Sequence, residues 1–384
     1  MSGFGFGEEE DLLRRQIAEF ARRELAPGAR ERAKTPGMDI EALRKMAGLG
    51  LTSLNVPAEY GGTTTGWVKL GIIVEELSKA DSGVGGYVIM GPAVVGKILT
   101  QAPEELQREW FPRLLSFETF PCFCVTEPDC GSDAAAIKTR AVRDGDFYVI
   151  NGEKTSVTLG VQGGIAAVFA KTNPEAGVRG VSCFLVPLDL PGVTKTPMKD
   201  MGWIPLGRAS ISFDGVRVPA DHRVGEEGRG FYLMMDVIGG LRVCMTLWAI
   251  GEAEGALEGA VAYAKGRMAF GRPVARFQGV SFTIAEQATI LESARLLCYR
   301  ALWLMDQGLP HGKEQAMAKW YGTRMAAMAA HEMLLIHGHV GYTEEYPVEQ
   351  LFRNLVGNEI ADGPAEIMKL IICRELMGRD FEPL

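Results

Sequence analysis

The order of hydrophobic periods along the chain predicts an α+β protein. It divides into an N-terminal α-helical domain (1–117), a middle β-barrel-like domain (118–226) and a C-terminal four-helix bundle (227–384). Apolar residues recur at helical spacing up to about Phe117, and again from about Gly228 to Gly378. Between Pro121 and Val224 they alternate instead, as in strands. Helices, then strands, then helices, with no βαβ alternation, exclude a Rossmann-type sheet.

In the first block Leu13, Ile17, Phe20 and Leu25 follow Glu8–Glu10, acids that favour a helix start. Pro57 and the Gly61-Gly62 pair interrupt the pattern in LGLTSLNVPAEYGG (49–62), and WVKLGIIVEELSKAD (67–81) resumes it. In the second block FYVINGEKTSVTL carries an Asn-Gly hairpin signal at 151–152. Ile211, Phe213, Val216 and Val218 bracket a second such signal, Asp214-Gly215. IAAVFAKT and VSCFLV read as further strands of a small all-β domain. In the third block, four long runs begin at Gly230, Ser281, Lys313 and Val348. Their many Ala and Gly residues let helices approach closely, as in a bundle.

Of the 384 residues, 47% are apolar and 23% charged, which suits a soluble chain with a sizeable core. A formal net charge of −8 argues against nucleic acid or an anionic membrane as main partner. The cysteines at 122, 124, 130, 183, 244, 298 and 373 form no CxxC pair and no zinc spacing, and read as buried free thiols in a reducing compartment. The start MSGFGFGEEE lacks the basic-then-apolar pattern of a secretory leader, and no long uncharged apolar run marks a membrane span. A cytoplasmic setting is therefore expected. GFGFG at 3–7 is not a dinucleotide fingerprint, because no strand precedes it.

Near the end, IADGPAEI (360–367) sets one carboxylate, Asp362, before Gly-Pro and between two helical runs. As a fragment it is either a helix N-cap or an acid held for chemistry. Arg267 stands where a long helix stops, a common place for a dipole-complementing cation. His337 and His339 could share a metal, but no acidic or thiol partner is evident nearby.

Five segments in order resemble the acyl-CoA dehydrogenase family of flavoproteins. They are VTEPDCGSDAAAIKTRA (125–141), NGEKTSVTLG (151–160), RMAFGRPVARFQ (267–278), GHVGYTEEYPVEQLFRN (338–354) and IADGPAEI, and the resemblance covers nearly the whole chain. It implies FAD, an acyl-CoA substrate, an electron-transfer flavoprotein as electron acceptor and a homotetramer. Phe123, Val125, Thr126, Ser132, Ser156 and Thr158 take the flavin positions. A ring apolar on its faces and polar on its rim suits such residues. Arg267, Phe270, Gln278, Gly338, His339, Pro364 and Glu366 take the nucleotide positions. The resemblance aims Arg267 at the pyrophosphate of an FAD on a neighbouring subunit. Ser132, Arg242 and Gly363 take substrate positions, and Asp362 that of the base, which removes the proton next to the thioester carbonyl while its own amide polarises the thioester oxygen.

Several positions depart from the family pattern. The best-known branch reads Tyr-Glu-Gly-Thr where this chain has Ala361-Asp362-Gly363-Pro364, an acid about 1.5 Å shorter. Other branches carry their glutamate at the place of Leu241, so that base is absent. Ser156 replaces a common Trp, which opens space for a bulky, branched or cyclic acyl group. The same opening makes a flavin oxidase or monooxygenase the alternative, with a non-catalytic flavoprotein third. Leu335, His339, Val340, Pro364 and Glu366 also differ, so their contacts carry over as positions only.

Overall fold

The computed structural model describes residues 6–91 and 96–381. The first block holds α1 (Glu8–Phe20), α2 (Ala29–Lys34), α3 (Ile40–Ala47), α4 (Trp67–Ala80), α5 (Ser82–Val88), α6 (Gly96–Leu99) and α7 (Glu104–Leu115). The strands are β1 (Phe120–Cys124), β2 (Arg140–Asp144), β3 (Phe147–Val157), β4 (Gly163–Lys171), β5 (Val181–Pro187), β6 (Val193–Pro197), β7 (Ala209–Pro219) and β8 (Arg223–Val224). Then come α8 (Gly230–Gly266), α9 (Gln278–Asp306), α10 (Gly312–His337), α11 (Val348–Ile360) and α12 (Ala365–Met377).

The strands make one mixed sheet in the order β6-β7-β3-β2-β4-β5-β8, with β1 parallel to β4. Neither expected hairpin dipeptide is a hairpin. β3 and β7 run through Asn151-Gly152 and Asp214-Gly215 and pair antiparallel, with a register shift between Ile150 and Gly152. Asn151 Oδ1 accepts the Gly215 N–H at 2.8 Å, so the two dipeptides form facing halves of one bulge. A type I′ turn needs positive φ, and this bulge also places its two glycines there, Gly152 at 148° and Gly215 at 62°, which is why the two motifs share residues. The hairpin between β2 and β3 instead turns at Gly145 (φ 60), with Asp144 opposite Phe147.

The fourth helical run breaks at 361–364 into α11 and α12, so the bundle consists of α8, α9, α10 and this broken pair. By length and composition α8 could cross a membrane, but 72% of its apolar window is buried inside the protein. It packs on α4, α9 and α10, and that contact absorbs its apolar surface.

The middle block docks on the bundle through Trp203. Its ring stacks on Trp248 of α8 at 4.9 Å and lies over Gly357 of α11, where a Cβ would come within 2.8 Å. The Trp203 main-chain N–H donates to Asn354 Oδ1 at 2.8 Å. α11, which leads into Asp362, is thereby tied to the sheet.

Candidate active site

The chain reverses between α11 and α12 through two consecutive positive φ values, 52° at Asp362 and 105° at Gly363. Aspartate tolerates this region better than most residues, and glycine is unrestricted there. A Cβ at Gly363 would lie 2.6 Å from the Met368 Cε, which is fully buried. Pro364, extended at φ −64° and ψ 167°, is the N-cap of α12 and has no side-chain cap bond. The helix-cap reading of Asp362 is thus excluded. Its carboxylate makes no hydrogen bond or ion pair among the described residues, and its main-chain N–H donates to none of them.

Two cations hold this turn. Arg242 Nε on α8 donates to the Asp362 carbonyl at 2.9 Å, and Lys319 Nζ on α10 donates to the Asn358 carbonyl at 2.8 Å. Lys319 satisfies a carbonyl in the last turn of α11 and Arg242 one in the turn just beyond it, where cations also meet the negative end of the helix dipole. Burial raises the proton affinity of Asp362, and the nearby charges of Lys319 and Arg242 pull it back down. The expected substrate contact Arg242 therefore grips the Asp362 turn itself, beside Gly363. Leu241, at the place of the absent alternative base, is buried.

A second cluster lies on the sheet. Phe123, Val125, Thr126, Ser156 and Thr158 are half-buried around the ends of β1 and β3, whereas Ser132 is exposed on the following loop. Ser156 has φ 56° at a register shift of β3 against β7. The segments are locked by a buried ion pair, Glu127 Oε1 to Lys154 Nζ at 2.8 Å, which also reaches the Val125 carbonyl at 2.9 Å. Glu127 accepts the N–H groups of Lys138 and Thr139, and Thr155 N–H donates to the Thr126 carbonyl. Sequence reasoning passed over Glu127 and Lys154, although both lie in the quoted segments. A charged pair at strand ends looks like surface until its burial is seen.

The nucleotide set gathers at the far end of α8. Arg267, its C-cap, is exposed, Phe270 is 94% exposed, and Gln278 opens α9. Arg267 and His337 line a cavity of about 500 Å³ with Tyr263 and Tyr346. Gly338 and His339 follow at the end of α10. The His337 ring is buried against Tyr263 with Nδ1 on the Met333 carbonyl, and no metal-ligating cluster occurs among the described residues. Pro364 and Glu366 stay with the Asp362 turn.

Models of the acyl-CoA dehydrogenase N-terminal, middle and C-terminal domains match residues 7–118, 122–216 and 228–377. This chain belongs to the acyl-CoA dehydrogenase family. An acyl-CoA dehydrogenase of Bacillus subtilis (strain 168) is 36% identical over 373 residues, 97% of this chain and 98% of the relative. Acryloyl-CoA reductase (NADH) of Anaerotignum propionicum is 36% identical over 383 residues, 98% of this chain and 96% of the relative. Among solved structures, a glutaryl-CoA dehydrogenase from Mycobacterium smegmatis in complex with FADH2 matches with a TM-score of 0.90 at 27% identity, over 97% of this chain and 96% of that one.

As a member of this family the protein is an oxidoreductase acting on acyl-CoA, with FAD as cofactor. The residues present in this acyl-CoA dehydrogenase fit that cofactor. The hydroxyls and main-chain N–H groups of Thr126 and Thr158 have no protein partner among the described residues, beside the half-buried apolar Phe123 and Val125. Free donors around an apolar platform are what a flavin edge requires.

Proposed function

We propose that the enzyme desaturates an acyl-CoA thioester with Asp362 as the base, as a branch that uses Asp where the better-known branch uses Glu. FAD, when bound, supplies the acceptor for the β-hydride. Asp362 takes the α-proton on a carboxylate oxygen, and the C–H electron pair becomes the new double bond. The Asp362 N–H, directed at the thioester oxygen, stabilises the developing enolate. Arg242 keeps the turn from relaxing. The observation that carries this reading is a carboxylate with no hydrogen-bond or ion-pair partner among the described residues, in a turn held by two cations. A residue kept for capping or folding would have used its oxygens.

The acyl group is proposed to be bulky, branched or cyclic. The half-buried Ser156 leaves open the side where many relatives carry an indole. Anaerobic addition of an acyl-CoA panel tests both proposals through flavin bleaching. Fastest bleaching with branched or cyclic acyl groups is expected. Fastest bleaching with linear C4–C8 chains contradicts the substrate proposal, and no bleaching with any thioester contradicts the catalytic one.

A homotetramer sharing its FAD sites accords with the geometry of α8. Arg242 and Arg267 lie 25 residues apart on or just past it, about 37 Å at about 1.5 Å per residue, beyond the reach of one cofactor. Exposed Met268, Phe270, Phe282, Leu335 and Tyr342 favour a subunit contact there. Electron-transfer flavoprotein is the proposed electron acceptor, since a reduced flavin must be reoxidised for turnover. Unpaired cysteines favour a reducing, cytoplasmic setting.

A reductase as similar as the dehydrogenase favours a second reading, reduction of an enoyl-CoA at the same site. Asp362 would then return the proton it takes in the forward direction.

A further inference from the structure

Lys319 is fully buried on α10, on a stripe of small buried residues that includes Ala316, Ala318, Gly322 and Thr323. Its ammonium has one hydrogen bond among the described residues, to the Asn358 carbonyl. The Asn358 side chain is equally buried, and neither Oδ1 nor Nδ2 finds a partner among the described residues. Three charged groups act on the lysine: Asp362 in the turn, Glu359 on α11 and, repelling it, Arg242 on α8. Glu359 is partly exposed and faces Arg324 at 3.8 Å, so Asp362 is the anion left to balance Lys319. Reciprocally, Lys319 is the larger of the two cationic influences on Asp362.

A sealed ammonium without an ion-pair contact is costly, and an apolar side chain of similar length would pack at lower cost. Its placement next to the base calls for a role in the reaction. We propose that Lys319 is a positioning residue whose charge, locked behind the turn by the Asn358 carbonyl, keeps the Asp362 carboxylate ionised at neutral pH. This rests on Asp362 being the base. Burial pulls Lys319 itself down to about 8, so it still carries its charge at pH 7 and loses it above.

The test is the pH profile of α-proton exchange in flavin-loaded Lys319→Gln, Lys319→Met and Lys319→Arg proteins. Gln can keep the contact to Asn358 but not the charge, Met keeps neither, and Arg keeps both. The acid limb is expected to move up by about one pH unit in both neutral variants, a tenfold loss of the ionised base below the limb. It should stay near its wild-type position in Lys319→Arg. A merely structural lysine would lower the plateau without moving the limb, and an unmoved limb in folded Lys319→Gln overturns the proposal.

A measurement that does not depend on those variants follows from reciprocity. In ¹³Cε-lysine spectra of the intact enzyme, one buried lysine should titrate near 8, and its midpoint should fall in Asp362→Asn. An unchanged midpoint overturns the proposal. Retained exchange in Asp362→Asn would instead sink the assignment of the base. Lost exchange there, combined with an unmoved limb in Lys319→Gln, would sink the role of Lys319 alone.

Discussion

Replacing Gly363 by alanine tests whether the shape of the turn, and not only its acid, sustains the chemistry. At φ 105° any Cβ is strained, by about 1–2 kcal/mol. The new methyl would sit 2.6 Å from Met368 Cε, against about 3.5–4.0 Å for a relaxed carbon pair. Met368 is fully buried and has no solvent to swing into, so overpacking adds about 1–3 kcal/mol. Relief by moving the turn about 1 Å would misplace Asp362 and slow reduction about a hundredfold. Single-turnover flavin bleaching and a denaturation curve read the two effects separately. The double variant Gly363→Ala/Met368→Ala removes the collision and should recover part of the rate despite lower stability. A Gly363→Ala enzyme within about twofold of wild type in rate, with an unchanged denaturation midpoint, would refute the reasoning.

Other outcomes follow from the same geometry. Burial raises the Asp362 proton affinity, so its stabilising contribution is present below pH 3.8 and lost as pH rises through the native value. Asp362→Asn should therefore be more stable than wild type at pH 7, by about 0.5–2 kcal/mol in urea denaturation. Glu252, fully buried with Ser82 and Asn354 against one oxygen and no partner among the described residues on the other, is pushed well above the usual carboxylate range by burial, which favours its protonated form. Glu252→Gln should change stability by under about 1 kcal/mol, and Glu252→Ala should cost about 1–3 kcal/mol because its partners lose their acceptor. Wild-type stability should also decline as pH rises above 4.5, and thermal melts from pH 5 to 8 should show that decline flattened in Glu252→Gln. Arg267→Ala, at an exposed helix end, should keep the fold yet weaken FAD retention about 10- to 100-fold, read as visible absorbance after dilution.

The three blocks were legible because amphipathic helices and alternating strands leave different periods in a sequence. The two dipeptides at 151–152 and 214–215 misled because positive φ serves a hairpin and a bulge alike. Asp362 stood out by its place before Gly-Pro, but a cap and a base look identical in one dimension, and the separate N-cap at Pro364 removes only the cap reading. Lys154 and Lys319 were illegible for a common reason. A lysine amid apolar residues usually extends its amine to water, and only the packed structure shows that these two do not. A sign was nevertheless available for Lys319. It sits between Ala316 and Thr323 on the inward stripe of α10, not on the face that carries Lys313 and Arg324.

Exchange of the thioester α-proton into deuterated water by Asp362→Asn, with flavin content checked by absorbance, tests the base most directly. Yellow, folded protein with exchange reduced to background is the predicted result. Yellow, folded protein exchanging at the wild-type rate would mean that another group takes the proton.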